Sequence, residues 1–207
     1  MTKQLWLIDI PDDYNREKDI LLGPWCVLGK EDQYPEIDKL IFESDAFNSF
    51  EEVSISEEKI AQFSKYYIHK LSNKLNQIHN VNYSVEYWKI ILFPWLLTVS
   101  QVTWERQLII NKVLYKYRNE NIKINLASDA MDIDVYDTQD FTMLCQNLEF
   151  NYWLFSRLIE KKIPDNWRVS FTKINPVRSE YEPPKETYKT KVHRFITKLF
   201  PSESIYG

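Results

Sequence analysis

Leu75–Arg106 reads LNQIHNVNYSVEYWKIILFPWLLTVSQVTWER. A polar opening that carries His79 gives way to a run with three tryptophans, a proline in its middle and a terminal Glu-Arg pair. Ser84 is placed to cap a helix, and Glu86 in the first turn meets the positive end of its dipole. Apolar spacing then predicts one long helix over roughly 85–118. Pro94 lacks a backbone N–H and predicts a kink near Ile90. The first half is apolar nearly all round, which predicts burial in the core. Its second half turns polar on one side at Arg106, Gln107, Asn111 and Lys112.

Upstream, Ile60, Phe63, Tyr67, Leu71, Leu75 and Ile78 recur every three or four residues. They predict an amphipathic helix over roughly 57–78, with Lys59, Gln62, Lys65, Lys70 and Lys74 on its polar face. Ser54 and Glu57 have capping-box spacing, and Ser56 is a second candidate cap. His79 then falls in a loop between two helices. Gln4–Ile10, Lys39–Phe42, Ile122–Leu126 and Trp167–Phe171 read as strands. Ile20–Leu28 is apolar but broken at Gly23-Pro24. A third helix starts at Asp137 or Thr138, presents Phe141, Leu144, Leu148, Tyr152, Phe155 and Ile159, and stops at Lys161, Lys162 and Pro164. Strands alternating with helices predict an α/β, helix-rich fold with a mainly parallel sheet flanked by long helices.

Bulk properties narrow the function classes. A chain of 207 residues with 44% apolar and 15% aromatic content can fill the core of one domain. Only 3 residues are glycine, where average usage of about 7% would give several times more, so Gly-rich phosphate loops are nearly excluded. A net charge of -4 argues against nucleic acid as the main partner. Cys26 and Cys145 are far apart and in no metal spacing. The start, MTKQLWLIDIPDD, has no signal-peptide pattern, and the longest apolar run, Ile90–Val99, falls short of the about 20 residues a bilayer needs. These features predict a cytoplasmic protein. From Asn175, Pro176, Pro183 and Pro184 lie among charges and read as a linker. Residues 1–174 are therefore expected to form the domain. Residues 175–207 are expected to be a linker and a short basic amphipathic segment.

Four blocks carry a resemblance: Leu22-Gly23-Pro24-Trp25-Cys26; Leu75-Asn76-x-x-His79 with Ser84-x-x-Tyr87-Trp88 and Pro94-Trp95-Leu96; Glu105-Arg106; and Phe150-Asn151 with Phe155-Ser156-Arg157. In this order they resemble a family of transferases found in bacterial surface-polysaccharide (O-antigen) gene clusters. Phe150 stands where that family's pattern has Trp. The resemblance implies a Rossmann-like fold similar to the N-terminal, acceptor-side half of a two-domain (GT-B-like) glycosyltransferase. No His-Gly-Gly motif of the nucleotide-sugar half occurs. The expected partner is therefore a missing C-terminal donor-binding half or a partner chain. The chain is expected to hold no cofactor of its own, a nucleotide-activated donor serving the complete enzyme. A lipid-linked glycan is the expected acceptor, which suits the inner face of the membrane and at most peripheral membrane contact.

Each candidate residue has a functional and a structural reading. A loop His79 could take the proton of an acceptor hydroxyl, or it could pack a helix end. Arg106 and Arg157 could clamp a phosphate or a sugar carboxylate, or serve structural ion pairs such as Arg106 with Glu105. Trp25 and Trp88 could stack on a sugar, and Asn151 could hydrogen-bond it; aromatics also simply fill cores. Asp132-Ile133-Asp134 has the spacing of a metal–diphosphate site but lies among Asp129, Asp137 and Asp140, so a solvated acidic loop is expected and no metal. Cys26 has no base beside it and reads as a buried small hydrophobe. The basic tail, Lys185, Lys189, Lys191, Arg194 and Lys198, could touch an anionic membrane or pack on an absent domain. The first functional reading is the acceptor-side part of a glycosyltransferase-like enzyme, with no catalysis expected from this chain alone. A non-catalytic, helix-rich interaction module is the alternative.

Overall fold

Strand β1 (Lys3–Trp6) lies between β2 (Asp19–Leu21) and β3 (Ile122–Ala127), and β4 (Arg168–Thr172) extends the sheet beyond β3. Every pairing is parallel, in the order β2-β1-β3-β4. The computed structural model describes residues 2–10, 12, 14–15, 17–34, 42–43, 45–128, 135 and 137–174. Phe42 bridges Leu21 in parallel, so the end of the expected second strand meets the β2 edge; the rest of Lys39–Phe42, the Asp132-Ile133-Asp134 triplet and everything from Asn175 lie outside the described residues.

The α/β, helix-rich class is observed, with a four-stranded parallel sheet and four helices among the described residues. β1 and β3 are fully apolar on their inward positions, with Leu5, Ile122, Ile124 and Leu126 at 1% exposure or less. Burying such residues is the main source of fold stability. The core is completed by Leu21, Leu22, Cys26 and Val27 after β2, by the C-terminal half of the second long helix, and by Phe155 and Ile159 of the last one.

The two long helices, α1 (Phe50–His79) and α2 (Val85–Tyr117), form an antiparallel hairpin. Helix α1 starts a full seven residues ahead of the expected 57, because Ser49 rather than Ser54 or Ser56 supplies the cap. The same S-x-x-E spacing occurs at Ser49–Glu52. Ser49 Oγ accepts the Glu52 N–H at 3.2 Å, and Glu52 in turn accepts the Asn48 N–H at 2.8 Å. His79 is the last residue of α1, not a loop residue. Asn80 ends the helix in the left-handed conformation, at φ 52°. The buried face of α1 also differs from the expected one. Ser56, Ile60, Ser64, Ile68 and Ser72 face inward, four residues apart, while Phe63, Tyr67 and Ile78 remain exposed. Small serines let the α2 backbone come close, and that close approach turns the larger residues outward.

Ser84 caps α2 as the sequence predicts, accepting the Tyr87 N–H at 3.1 Å. The helix runs on through Pro94. Its N-terminal half is not core, contrary to expectation: Ile90 is 80% exposed and Ile91 50%. Helix α1 packs on this half and buries Trp88, Leu96 and Ser100, leaving the opposite side open. Only the C-terminal half, with Ile109, Ile110, Val113 and Tyr117, enters the main core. Long helices therefore do not flank the sheet as expected. One end of the hairpin is anchored and the other stands away. Glu43 fixes the anchored end, accepting from Lys116 Nζ at 2.6 Å and from the Tyr117 hydroxyl at 2.8 Å.

The third predicted helix is two helices, α3 (Thr138–Leu144) and α4 (Leu148–Glu160). Asn147 starts the second by accepting the Phe150 N–H at 2.9 Å. Asp137 caps the first, accepting the Asp140 N–H at 2.9 Å. Among the described residues, no helix is long and apolar enough to cross a membrane.

Candidate functional site

A parallel sheet gathers the ends of distant segments at one edge. In the order β2-β1-β3-β4 the chain moves outward from β1 in both directions, so the reversal point lies between β1 and β3. Open α/β sheets bind ligands outside the carboxyl ends of their strands at such a point. A crevice of about 400 Å³ opens there. Its walls come from the chain just after β1 (Leu7 to Ile10, with Asp9), from Asp12 and Lys30, from Asn125 and Thr172 on β3 and β4, and from Tyr152 on α4.

The polar groups in this crevice are ordered by one another. Lys30 Nζ lies 2.9 Å from Asp9 Oδ1 and 3.9 Å from Asp12 Oδ1, and donates to the Ile10 carbonyl at 2.6 Å. The hydrogen bond that Lys30 donates to the Asp9 carboxylate raises its pKa, so its ammonium stays charged. Asp9 itself has φ 38°, in the left-handed region that Asp and Asn tolerate better than most residues. Its side chain is 62% exposed. Asn125 Nδ2 donates to Thr172 Oγ1 at 2.6 Å. Burial pushes the Tyr152 phenol up to about 12, partly offset by a hydrogen bond with Thr172, so it remains an O–H donor at neutral pH. Two carboxylates against one ammonium make the crevice mildly acidic among the described residues. Carboxylate, amide and hydroxyl groups together suit a neutral polyol better than a diphosphate.

A second cavity, of about 210 Å³, lies alongside. Trp25, Glu105, Arg106, Cys145, Asn151 and Phe155 line it. Trp25 connects the two cavities: its Nε1–H donates to the Leu7 carbonyl at 2.8 Å, while its ring stacks on Phe155 with centroids 5.5 Å apart. The Arg106 guanidinium lies 6.0 Å from the Phe155 centroid, giving a Trp–Phe–Arg layer. The break between α3 and α4 matters here. It releases the Cys145 carbonyl, which accepts from Arg106 Nη2 at 3.3 Å and from Asn151 Nδ2 at 2.8 Å. Arg106 Nε also donates to Asn151 Oδ1 at 2.9 Å. Burial lowers the Arg106 pKa, its largest perturbation. Glu105 approaches Arg106 only to 3.9 Å, so Asn151 and the Cys145 carbonyl are its main partners.

The structure brings together Trp25, Arg106 and Asn151 of the residues singled out in the sequence. Arg157 lies on the same edge and donates to the carbonyl of Ala127, where β3 ends, while pairing with Glu160 at 3.0 Å. Trp88 and His79 are elsewhere. Their rings are 6.2 Å apart at the far end of the hairpin. Arg106 lies eighteen positions beyond Trp88, roughly 27 Å along α2. Trp88 Nε1 donates to Asn76 Oδ1 at 2.7 Å, and Asn76 pairs with both backbone groups of Tyr83. That block closes the hairpin turn. Cys26 is 1% exposed, and burial pushes its thiol up to about 11, so it carries no thiolate at neutral pH.

Asp9, Lys30, Asn125, Tyr152 and Thr172 were not singled out in the sequence. Their only local signal is an aspartate inside an otherwise apolar strand run, QLWLIDI, just before Pro11.

Comparison with known proteins places the chain. The family model described as LIC12162 family transferase matches residues 3–205. No curated protein and no solved structure matches. The match leaves out only two residues at each end of the sequence, and the chain belongs to the LIC12162 family of transferases.

Proposed function

We propose that this chain is the acceptor-side part of a glycosyltransferase-like enzyme of surface-polysaccharide (O-antigen) assembly. The sugar arrives on a nucleotide-activated donor held by a C-terminal half or a partner chain, and the acceptor is a lipid-linked glycan on the cytoplasmic side. One observation carries this reading: the crevice at the β1/β3 reversal point with Asp9, Lys30, Asn125, Tyr152 and Thr172 around it. Its acidic balance disfavours the donor's diphosphate and favours acceptor hydroxyls. Asp9 is the base in this reading. It takes the proton of an acceptor hydroxyl as that oxygen attacks the anomeric carbon, and the nucleotide leaves with the electron pair of the broken bond. Lys30 holds the Asp9 carboxylate in place. Trp25, Arg106 and Asn151 shape the adjoining cavity, where the next sugar of the acceptor lies against the Trp25 edge. His79, at the far end of the hairpin, has no role in this reading.

The test is amide chemical-shift mapping of the chain with neutral hexoses and, separately, with uridine diphosphate. Hexoses are expected to perturb Asp9, Asn125 and Thr172, and Asp9→Asn to abolish the effect. Asn tolerates the left-handed backbone of Asp9, so the variant removes the charge without new strain. Perturbation by uridine diphosphate alone would make this a donor site and end the acceptor reading.

A further inference from the structure

The hairpin's free end has a composition unlike the rest of the molecule. Residues 66–91 contain three lysines, Lys70, Lys74 and Lys89, against one acidic residue, Glu86, in a chain of net charge -4. All three lysines are exposed. The same segment exposes Ile78, Tyr83, Tyr87, Ile90 and Ile91, clustered within about one helical turn or two of the hairpin bend. Ile90 is 80% exposed and Ile78 61%, high values for large aliphatic residues. The lysines also run beside aromatic rings. Lys70 Nζ sits 4.6 Å from the Tyr66 centroid, and Lys89 Nζ 5.9 Å from that of Phe93.

We infer that the tip of the α1–α2 hairpin is a docking surface for an anionic lipid bilayer. Tyrosines and isoleucines at the tip enter the headgroup boundary, and Lys70, Lys74 and Lys89, the lysines nearest the bend, pair with anionic headgroups. Charge complementarity selects this occupant. A protein partner burying the aliphatic tip would not require three cations with a single counter-charge, and a second copy would bring those cations against each other. The depth is that of an interfacial anchor, since among the described residues no helix is long and apolar enough to span. This surface is a hairpin length away from the crevice, and the inference stands whether or not the acceptor reading does.

The experiment is sedimentation of the full chain with phosphatidylglycerol vesicles and with phosphatidylcholine vesicles. Binding is expected to the first only, and to weaken with added salt. Replacing Lys70, Lys74 and Lys89 together by Gln should weaken it about fivefold per lysine. Ile90→Ser with Ile91→Ser should remove the part that survives in salt. All five side chains are exposed, so an unchanged thermal melt separates lost binding from lost folding. Equal binding to both vesicles, or none to either, would overturn the inference. So would a dimer in light scattering that becomes monomeric in the Ile90→Ser, Ile91→Ser variant, which would make the tip a self-interface.

Discussion

Gly23 shows how one missing side chain positions the candidate site. Its backbone is extended, at φ -165°, so no unusual conformation demands glycine. Space does: a Cβ there would overlap the ring of Trp25. Gly23→Ala must therefore push Trp25 off Phe155 and away from the Leu7 carbonyl. Overpacking of this kind costs about 1–3 kcal/mol, and the checks are a lower thermal midpoint and a shifted tryptophan emission. The Leu22–Cys26 block was legible as a motif, but the reason for its glycine is visible only with the ring in place. Cys26 gives a pH prediction. Its folded pKa is raised to about 11 from a reference of 9.0, chiefly by burial. A raised pKa contributes stability fully present below pH 9 that is lost as pH climbs through 11. Urea midpoints should therefore fall across that window, and Cys26→Ala should flatten the fall. Asp9 was illegible as a site residue because its partner, Lys30, becomes a neighbour only in the fold.

At the level of elements, periodicity found the helices and misjudged their faces. It followed the large apolar residues of α1 and selected Phe63, Tyr67 and Ile78, whereas packing against α2 uses the serine stripe. Replacing Ser72, which is 1% exposed, with Leu should wedge the hairpin apart and cost about 1–3 kcal/mol. The expected result is a lower urea midpoint with the helical signal kept, since Leu is itself a good helix former. The split between α3 and α4 escaped notice for a similar reason. Phe141, Leu144, Phe155 and Ile159 keep helical spacing through the break although the first two pack in a separate cluster with Phe150, and only Asn147 marks the break. That break has a chemical consequence, because the freed Cys145 carbonyl is what Arg106 and Asn151 share.

Across the whole molecule, the sheet and the hairpin separate two surfaces. Residues from positions 9, 30, 125, 152 and 172 meet at the carboxyl edge, and the lysine-rich tip lies at the other end of α2. The sequence by itself determined the α/β class, the strands β1, β3 and β4 but not β2, the long helices with the Ser84 cap, and the transferase family. These rest on local patterning and on the order of residues, both of which survive in one dimension. Only the tertiary structure decided which strands are neighbours, and hence where the crevice lies. It also decided that His79 and Arg106 stand apart and which helix faces are covered. The reason is physical: a sheet edge and a helix face acquire their chemistry from segments tens of residues away, and no local pattern records which segment arrives.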